Sequence, residues 1–392
     1  MFNLFSSKTV RDAISMHKHV QKLLNHQRDI LKPEAVGAVE TAIGQLKQAA
    51  SDKADKTALE KQMQALEKAA TSWLKPYPNA AWRENIEVLL VALAVAMGIR
   101  TFFLQPFKIP TGSMQPTLYG VTSKNLREDP TQQIPTGLDR VRQWFGGVSY
   151  LHIVAKEDGD LEYVGRPARL LILQLWQRLQ VGGKTYTIWF PPDYGSSTLE
   201  ARAGLQGRQR FHKGDDIIKL QVKAGDHLFV DRLAYNFRSP ERGEIIVFET
   251  KGIPEENRLD FGIPGDQFYI KRLVGLGNEL VQIGSDRHLV IDGKRLDSST
   301  PRFGRIYSFD PTKPGRDSEY SGHYKGPGLS RYFSNHPEGV KIPPKSFMAM
   351  GDNTMNSLDS RSWGPFPSEY VIGRSFFVYW PITDRFGWGY RR

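Results

Sequence analysis

The stretch from Val88 to Leu118 reads VLLVALAVAMGIRTFFLQPFKIPTGSMQPTL. It opens as a membrane-length apolar run and closes as a short segment rich in proline, with a serine at its centre. The uncharged part ends at Ile99, which is short for a spanning helix and also fits a buried core helix. Three features favour a span. Phe102, Phe103 and Leu104 continue the run beyond Arg100. Arg100 is close enough to one end for its side chain to reach the interface. Trp82 and Arg83 supply an interfacial aromatic and a charge on the upstream flank. The run begins too far into the chain for a cleaved signal peptide, so it reads as an uncleaved signal-anchor over residues 86–104.

Upstream, residues 1–85 hold 13 Lys/Arg against 9 Asp/Glu, with Lys68, Lys75 and Arg83 close to the span. The positive-inside rule keeps this end in the cytoplasm and exports the chain beyond Pro106. Residues 8–31 and 34–73 carry apolar positions such as Val10, Ile14, Val20, Leu23, Leu24 and Ile30 at helical spacing. Pro33 divides the two stretches, and Pro76 and Pro78 close the second. The pattern predicts a helical hairpin or coiled-coil-like pair over residues 1–80. It serves as a spacer, or alternatively as a segment for partner binding or self-association.

The 392 residues include 36 Gly and 24 Pro, a turn-rich composition that favours a β-rich body. There is no cysteine, which excludes disulfides, thiol nucleophiles and Cys-based metal sites. A net charge of +11 suits an anionic surface, or simply a solubilising one. No nucleic-acid-binding signature accompanies it, so no nucleic acid partner is expected. No metal or other cofactor is expected either.

Downstream of the span, prolines 106, 110 and 116 hold an extended backbone, and Gly112 allows close approach of another chain next to Ser113. A serine nucleophile needs a base. None of the nine histidines (His17, His19, His26, His152, His212, His227, His288, His323 and His336) sits in a triad or metal motif, and there is no G-x-S-x-G elbow. Gly183-Lys184-Thr185 resembles the end of a phosphate loop, but Arg178 stands where its first glycine belongs.

A lysine can serve as the base if burial strips its charge. An exposed Lys titrates near 10.4 and a working base needs about 7–8, a shift that costs on the order of 3–5 kcal/mol. Lys271 lies in Phe268-Tyr269-Ile270-Lys271-Arg272-Leu273-Val274-Gly275, which reads as a strand. Alternation puts Lys271 with Tyr269 and Leu273 on one face and Arg272 on the other. On the strand alone, an edge lysine that blocks aggregation is the better reading. A third segment, Met350 to Gly364, tips the balance. Ser357 could hydrogen-bond the lysine amine there, and Asp359 could pair with Arg272 or Arg361. The bland alternative is an Asn/Asp/Ser turn cluster.

Together these segments resemble the bacterial type I signal peptidases. Ser113-Met114-Gln115-Pro116-Thr117-Leu118 matches an S-M-x-P-T-L box. Gly225 to Tyr235 resembles a G-D-x-[hydrophobic]-x-V-x-[KR]-x-x-Y box. Arg242 to Phe248, followed by Tyr269 to Arg272, resembles a third box, and Gly351-Asp352-Asn353 through Arg361 resembles G-D-N-x-x-N-S-x-D-S-R. The resemblance implies a mainly β catalytic domain (residues 105–119 and 223–392) after one transmembrane helix, with an α-helical N-terminal region. It implies a membrane-bound serine endopeptidase that removes signal peptides at small-residue, A-x-A-like sites through an acyl-enzyme. Ser113 is then the nucleophile and Lys271 the base. Thr111 joins the Ser113 N–H in an oxyanion hole. Ser357 positions the lysine, and Asp359, Arg361 and Arg272 form a structural ion-pair group. Ile109, Pro110, Met114, Tyr269 and Ile270 line the substrate pockets.

The implied partners are preproteins carrying signal peptides, the lipid bilayer and the secretion machinery. The implied location is the cytoplasmic membrane, with the catalytic domain on the exported side. Departures from the family pattern are Gly277-Asn278-Glu279 after the lysine strand, Thr354-Met355 in the last box, and a long segment at 120–222. Strand-like runs at Tyr150–Val154, Leu170–Leu175 and Thr185–Trp189 make that segment an inserted β-rich subdomain. The rival enzyme is a self-cleaving repressor-type protein, against which the span argues. The non-enzyme rival is a membrane-tethered β-domain that scaffolds envelope partners.

Overall fold

Alanine, leucine and charged residues dominate the N-terminal region, and they form helices. The computed structural model describes residues 8–52, 55–75, 80–129, 131–170, 173–307, 322–326 and 328–388. Contacts divide the chain into two units, Met1–Leu93 and Ala94–Arg392.

In the first unit, α1 (Lys8–Gln27), α2 (Pro33–Ser51) and α3 (Lys56–Trp73) pack around Val20, Leu24, Val39, Ile43, Leu46, Leu59 and Leu66. The expected pair of helices is therefore a set of three. The second stretch breaks after Ser51 because Asp55 caps a new helix, its carboxylate accepting from the Ala58 N–H at 3.0 Å. Pro33 opens α2 at its first turn, where a missing N–H costs nothing. Pro76 and Pro78 lie outside the described residues.

The helix α4 (Ala80–Phe102) contains the apolar run. The most apolar 18 residues within Trp82–Phe102 have a mean hydropathy of 1.7, and none of them is buried in the protein. Among the described residues it is the one helix long and apolar enough to cross a membrane. Its full exposure rules out the buried core helix that the short uncharged run also allowed.

The second unit is mainly β. Its principal sheet is antiparallel, in the order Leu104–Lys108, His227–Asp231, Val371–Trp380, Ile245–Glu249, Phe268–Gly275, Ser346–Met350 and Phe366–Pro367, with Gly387–Trp388 paired to Val371–Trp380. Alternation sorts two apolar clusters onto its faces. Ile246, Phe248 and Leu273 go to one, and Ile245 and Val247 to the other, with Ile109, Met114, Leu228 and Val230. A smaller four-stranded sheet spans Leu280–Lys341.

Residues 122–223 form two further sheets around a core of their own that includes Leu179, Ile188, Phe211, Ile218 and Leu220. The runs expected at Tyr150–Val154 and Thr185–Trp189 are strands, at Val148–Val154 and Lys184–Trp189. The run expected at Leu170–Leu175 is instead two antiparallel strands, Ala168–Leu170 and Leu173–Val181, with Leu170 opposite Leu173. No glycine or proline marks the fold-back, so an unbroken apolar run concealed it; Leu171 and Ile172 lie outside the described residues.

Candidate active site

Ser113 lies five residues beyond the strand Leu104–Lys108. The backbone then turns sharply: Gln115 N–H donates to Gly112 O at 3.1 Å and Leu118 N–H to Met114 O at 2.9 Å. Met114 and Leu118 are fully buried and fix this turn to the core. From the other side, Asn353 clamps it, donating through its N–H to Ser113 O (3.0 Å) and through Nδ2 to Gly112 O (3.1 Å). Two glycines permit the close packing. A Cβ on Gly351 would fall 2.4 Å from Ser113 O and 2.1 Å from Ser357 Oγ. One on Gly120 would fall 2.2 Å from Thr111 O.

Lys271 comes from the centre of Phe268–Gly275, opposite Ile246. It is 5% exposed, and its Nζ donates to Ser113 Oγ at 2.6 Å. Burial draws the amine's pKa down to about 8; Asp359 and Asp352 pull it up, Arg361 pushes it down, and burial prevails. The amine also sits 5.5 Å from the Tyr269 ring. Thr111 Oγ1 lies 3.5 Å from Ser113 Oγ, and no acceptor among the described residues meets the Ser113 N–H. The pair can therefore move a proton from a hydroxyl to an amine that loses its charge near pH 8, beside two donors, the Ser113 N–H and the Thr111 hydroxyl, placed to meet a developing oxyanion.

Arg272 turns away from Lys271. Its guanidinium grips Asp352 with two bonds (2.7 and 2.5 Å) and donates to Gly243 O at 2.6 Å, with both side chains buried. Asp359 pairs with Arg361, not Arg272, through two bonds of 2.8 Å, and accepts from the Gly351 N–H at 2.9 Å. Strong interaction with Arg361 holds the Asp359 carboxyl below the usual carboxylate range although burial opposes it.

The expected bond from Ser357 to the lysine is absent. Ser357 is buried and its hydroxyl has no hydrogen-bond partner, because the lysine amine is directed to Ser113. Of the expected pocket residues, Pro110 is exposed and Tyr269 and Ile270 are half-buried, whereas Ile109 and Met114 are core residues. They can shape a pocket only from beneath.

Sequence reasoning missed Asp352, Asn353 and Asp193. Asp352 and Asn353 stand in a quoted motif, but their side-chain partners Arg272 and Gly112 lie 80 and 241 residues away in sequence. Asp193, in the inserted segment, forms an ion pair with Lys108 on the strand leading to Ser113, and no local signal announces it.

The strands also leave an open slot. Among the described residues, Leu104–Lys108 is a sheet edge, with His227–Asp231 on one side only. Among the described residues, 268–271 have a partner strand only toward Ile245–Glu249, since pairing with Ser346–Met350 starts at Arg272. Phe107 and Phe268 bring the two edges together, their rings edge-to-face at 5.4 Å.

A family model described as signal peptidase, peptidase S26, matches residues 82–125 and 218–380, more than half of the chain. The chain is 29% identical over 162 residues to a probable signal peptidase I-2 of a Synechocystis strain, covering 41% of this chain and 58% of that protein. It is 29% identical over 164 residues to signal peptidase I of Leptolyngbya laminosa, covering 41% and 64%. It is 26% identical over 157 residues to thylakoidal processing peptidase 1, chloroplastic, of Arabidopsis thaliana, covering 40% and 37%. The matched region thus spans about three-fifths of the first two relatives.

Proposed function

Because the chain belongs to the signal peptidase S26 family, we propose that it is a membrane-bound serine endopeptidase that removes signal peptides from exported preproteins. The observation that carries this reading is the 2.6 Å contact between Ser113 Oγ and a buried Lys271 whose pKa falls to about 8.

The substrate enters extended and adds as a strand in the slot between residues 107–111 and 268–271. Lys271 takes the Ser113 proton as Oγ attacks the scissile carbonyl. The oxyanion is met by the Ser113 N–H and the Thr111 hydroxyl, donors of a kind worth roughly 3–4 kcal/mol each. Collapse breaks the C–N bond, and Lys271 returns its proton to the leaving amine. Lys271 then deprotonates a water that attacks the acyl ester, and the proton passes back to Ser113. Pro110, Tyr269 and Ile270, over Ile109 and Met114, would line the pockets for the small side chains of an A-x-A-like site. Arg272, Asp352, Asp359 and Arg361 act as structural ion pairs that hold the segments in place.

The exposed α4 fits a bilayer span, and the charge balance upstream supports N-terminal helices in the cytoplasm and a β unit on the exported side of the cytoplasmic membrane. Preproteins and lipid are then the partners, with the secretion machinery delivering substrate. The scaffold alternative predicts no contact between Ser113 and Lys271, and it is not favoured.

The test is cleavage of a labelled preprotein by the full chain in liposomes. Wild type should release the mature protein, and Ser113→Ala should lose roughly 10⁴-fold or more of that rate. Undiminished cleavage by Ser113→Ala would overturn the assignment.

A further inference from the structure

The helix Gly137–Phe145, within the inserted segment, faces the wrong way for a water-soluble surface. Its sequence GLDRVRQWF places Leu138, Val141, Trp144 and Phe145 on one side, at i, i+3, i+6 and i+7. An ordinary surface helix would turn that side inward. Here the polar side also binds the body. Arg140 Nη2 donates to Tyr150 O at 3.4 Å, and the Tyr150 hydroxyl donates to Gln143 Oε1 at 2.5 Å. The helix buries no residue, and Leu138, Val141, Trp144 and Phe145 are 87%, 52%, 53% and 47% exposed. The patch continues onto the C-terminal strands. Trp144 meets Trp380 at 5.1 Å between ring centroids, Ile382 N–H donates to Phe145 O, and Ile382 and Trp388 are themselves exposed.

Its position indicates what covers it. Trp380 is opposite His227, and His227 is opposite Lys108, on the strand that begins at Leu104, two residues after α4 ends. Two strand spacings of ~4.8 Å and four residues at ~3.4 Å set the patch roughly 15–20 Å from the point where the chain leaves the apolar helix. Exposed Arg140, Arg142 and Lys223 flank it. Tryptophan and phenylalanine bordered by cations is the composition of a surface seated at the headgroup level of an anionic bilayer.

We propose that the helix Gly137–Phe145 lies on the membrane surface, its apolar side among the lipids, as a second point of attachment beside the span. The inserted segment then orients the catalytic sheet on the bilayer. Through the Lys108–Asp193 ion pair, it also couples that orientation to the strand that leads to Ser113.

This rests on the membrane span of the proposed function, but the two can fail separately. The chain has no cysteine, so single labels are unambiguous. Leu138→Cys, Val141→Cys, Val91→Cys in the span and Lys213→Cys on an exposed turn would each carry an environment-sensitive fluorophore. The full chain would be reconstituted in phosphatidylcholine–phosphatidylglycerol vesicles containing lipid-borne quenchers. Labels at 138 and 141 should be quenched severalfold more than the label at 213 by a shallow lipid quencher, and less than the label at 91 by a deep one. Labels at 138 and 141 open to aqueous iodide but not to lipid would overturn the inference while a quenched label at 91 left the span intact. Protection from both quenchers would overturn it in favour of a second copy of the chain. An unquenched label at 91 would remove the span and this inference with it. Either of the two helix positions suffices if the other variant does not fold.

Discussion

Lys271 and Arg272 are neighbours on one strand and both are buried, yet their surroundings differ in kind. Arg272 is met by a carboxylate with two bonds, by the Gly243 carbonyl and by the Thr117 hydroxyl. The Asp359–Arg361 pair beside it is saturated in the same way. Lys271 has one hydrogen bond, to a neutral hydroxyl, and no carboxylate within ion-pair reach among the described residues. A buried charge that is matched stays ionised and braces the fold; one that is unmatched gives up its proton and becomes available for chemistry. Two adjacent residues of the same sign thus have opposite surroundings, and the proposed roles, base and brace, follow from what stands opposite each.

The largest effect that could break this comparison is on stability. Asp359→Asn leaves Arg361 buried without its counter-charge and should destabilise the β unit by about 3–5 kcal/mol, read from chemical denaturation. A loss below about 1 kcal/mol would mean the pair is not bracing anything. The opposite sign is expected at the neighbouring site. Lys271→Met removes an unmatched amine and should raise stability by roughly 3 kcal/mol below pH 8, while abolishing cleavage. The pH window comes from the shift. Lys271 titrates near 8 folded and near 10.4 unfolded, so between these values the unfolded chain binds more protons. Wild-type stability should rise with pH across that window, and the gain from Lys271→Met should vanish above it. An advantage that persisted at pH 11 would point to packing and not to charge.

The smallest effect concerns Ser357. Its hydroxyl is buried and unpaired, so Ser357→Ala should leave stability unchanged or raise it by about 1 kcal/mol. If the hydroxyl steadies the amine once Ser113 has been acylated, the same variant should lower kcat and KM together, with kcat/KM unchanged. Unchanged kcat would leave Ser357 as packing alone.

The parts of this molecule legible in its sequence are those set by local pattern. The apolar run from Val88, the alternation around Lys271 and the proline-bracketed serine each announce their own element. The parts that were not legible depend on distant partners. Whether Asp359 would take Arg272 or Arg361 could not be decided from spacing, because Asp352 competes for Arg272 from seven residues away on a folded turn. Ile109 and Met114 look like pocket residues by motif, but they pack into the cluster of Leu228, Val230, Ile245 and Val247 under the sheet. The helical break near Asp55 rests on one capping bond. The fold-back after Leu170 carries no turn residue. The outward apolar side of Gly137–Phe145 has a helical period that says nothing about which side faces the body.

The central claim is that a burial-depressed lysine is the base for Ser113. It is tested most directly by the pH dependence of single-turnover preprotein cleavage. The rate should climb about tenfold per pH unit and level off near pH 8, where Lys271 becomes neutral. A rate already level from about pH 6.5 would contradict it.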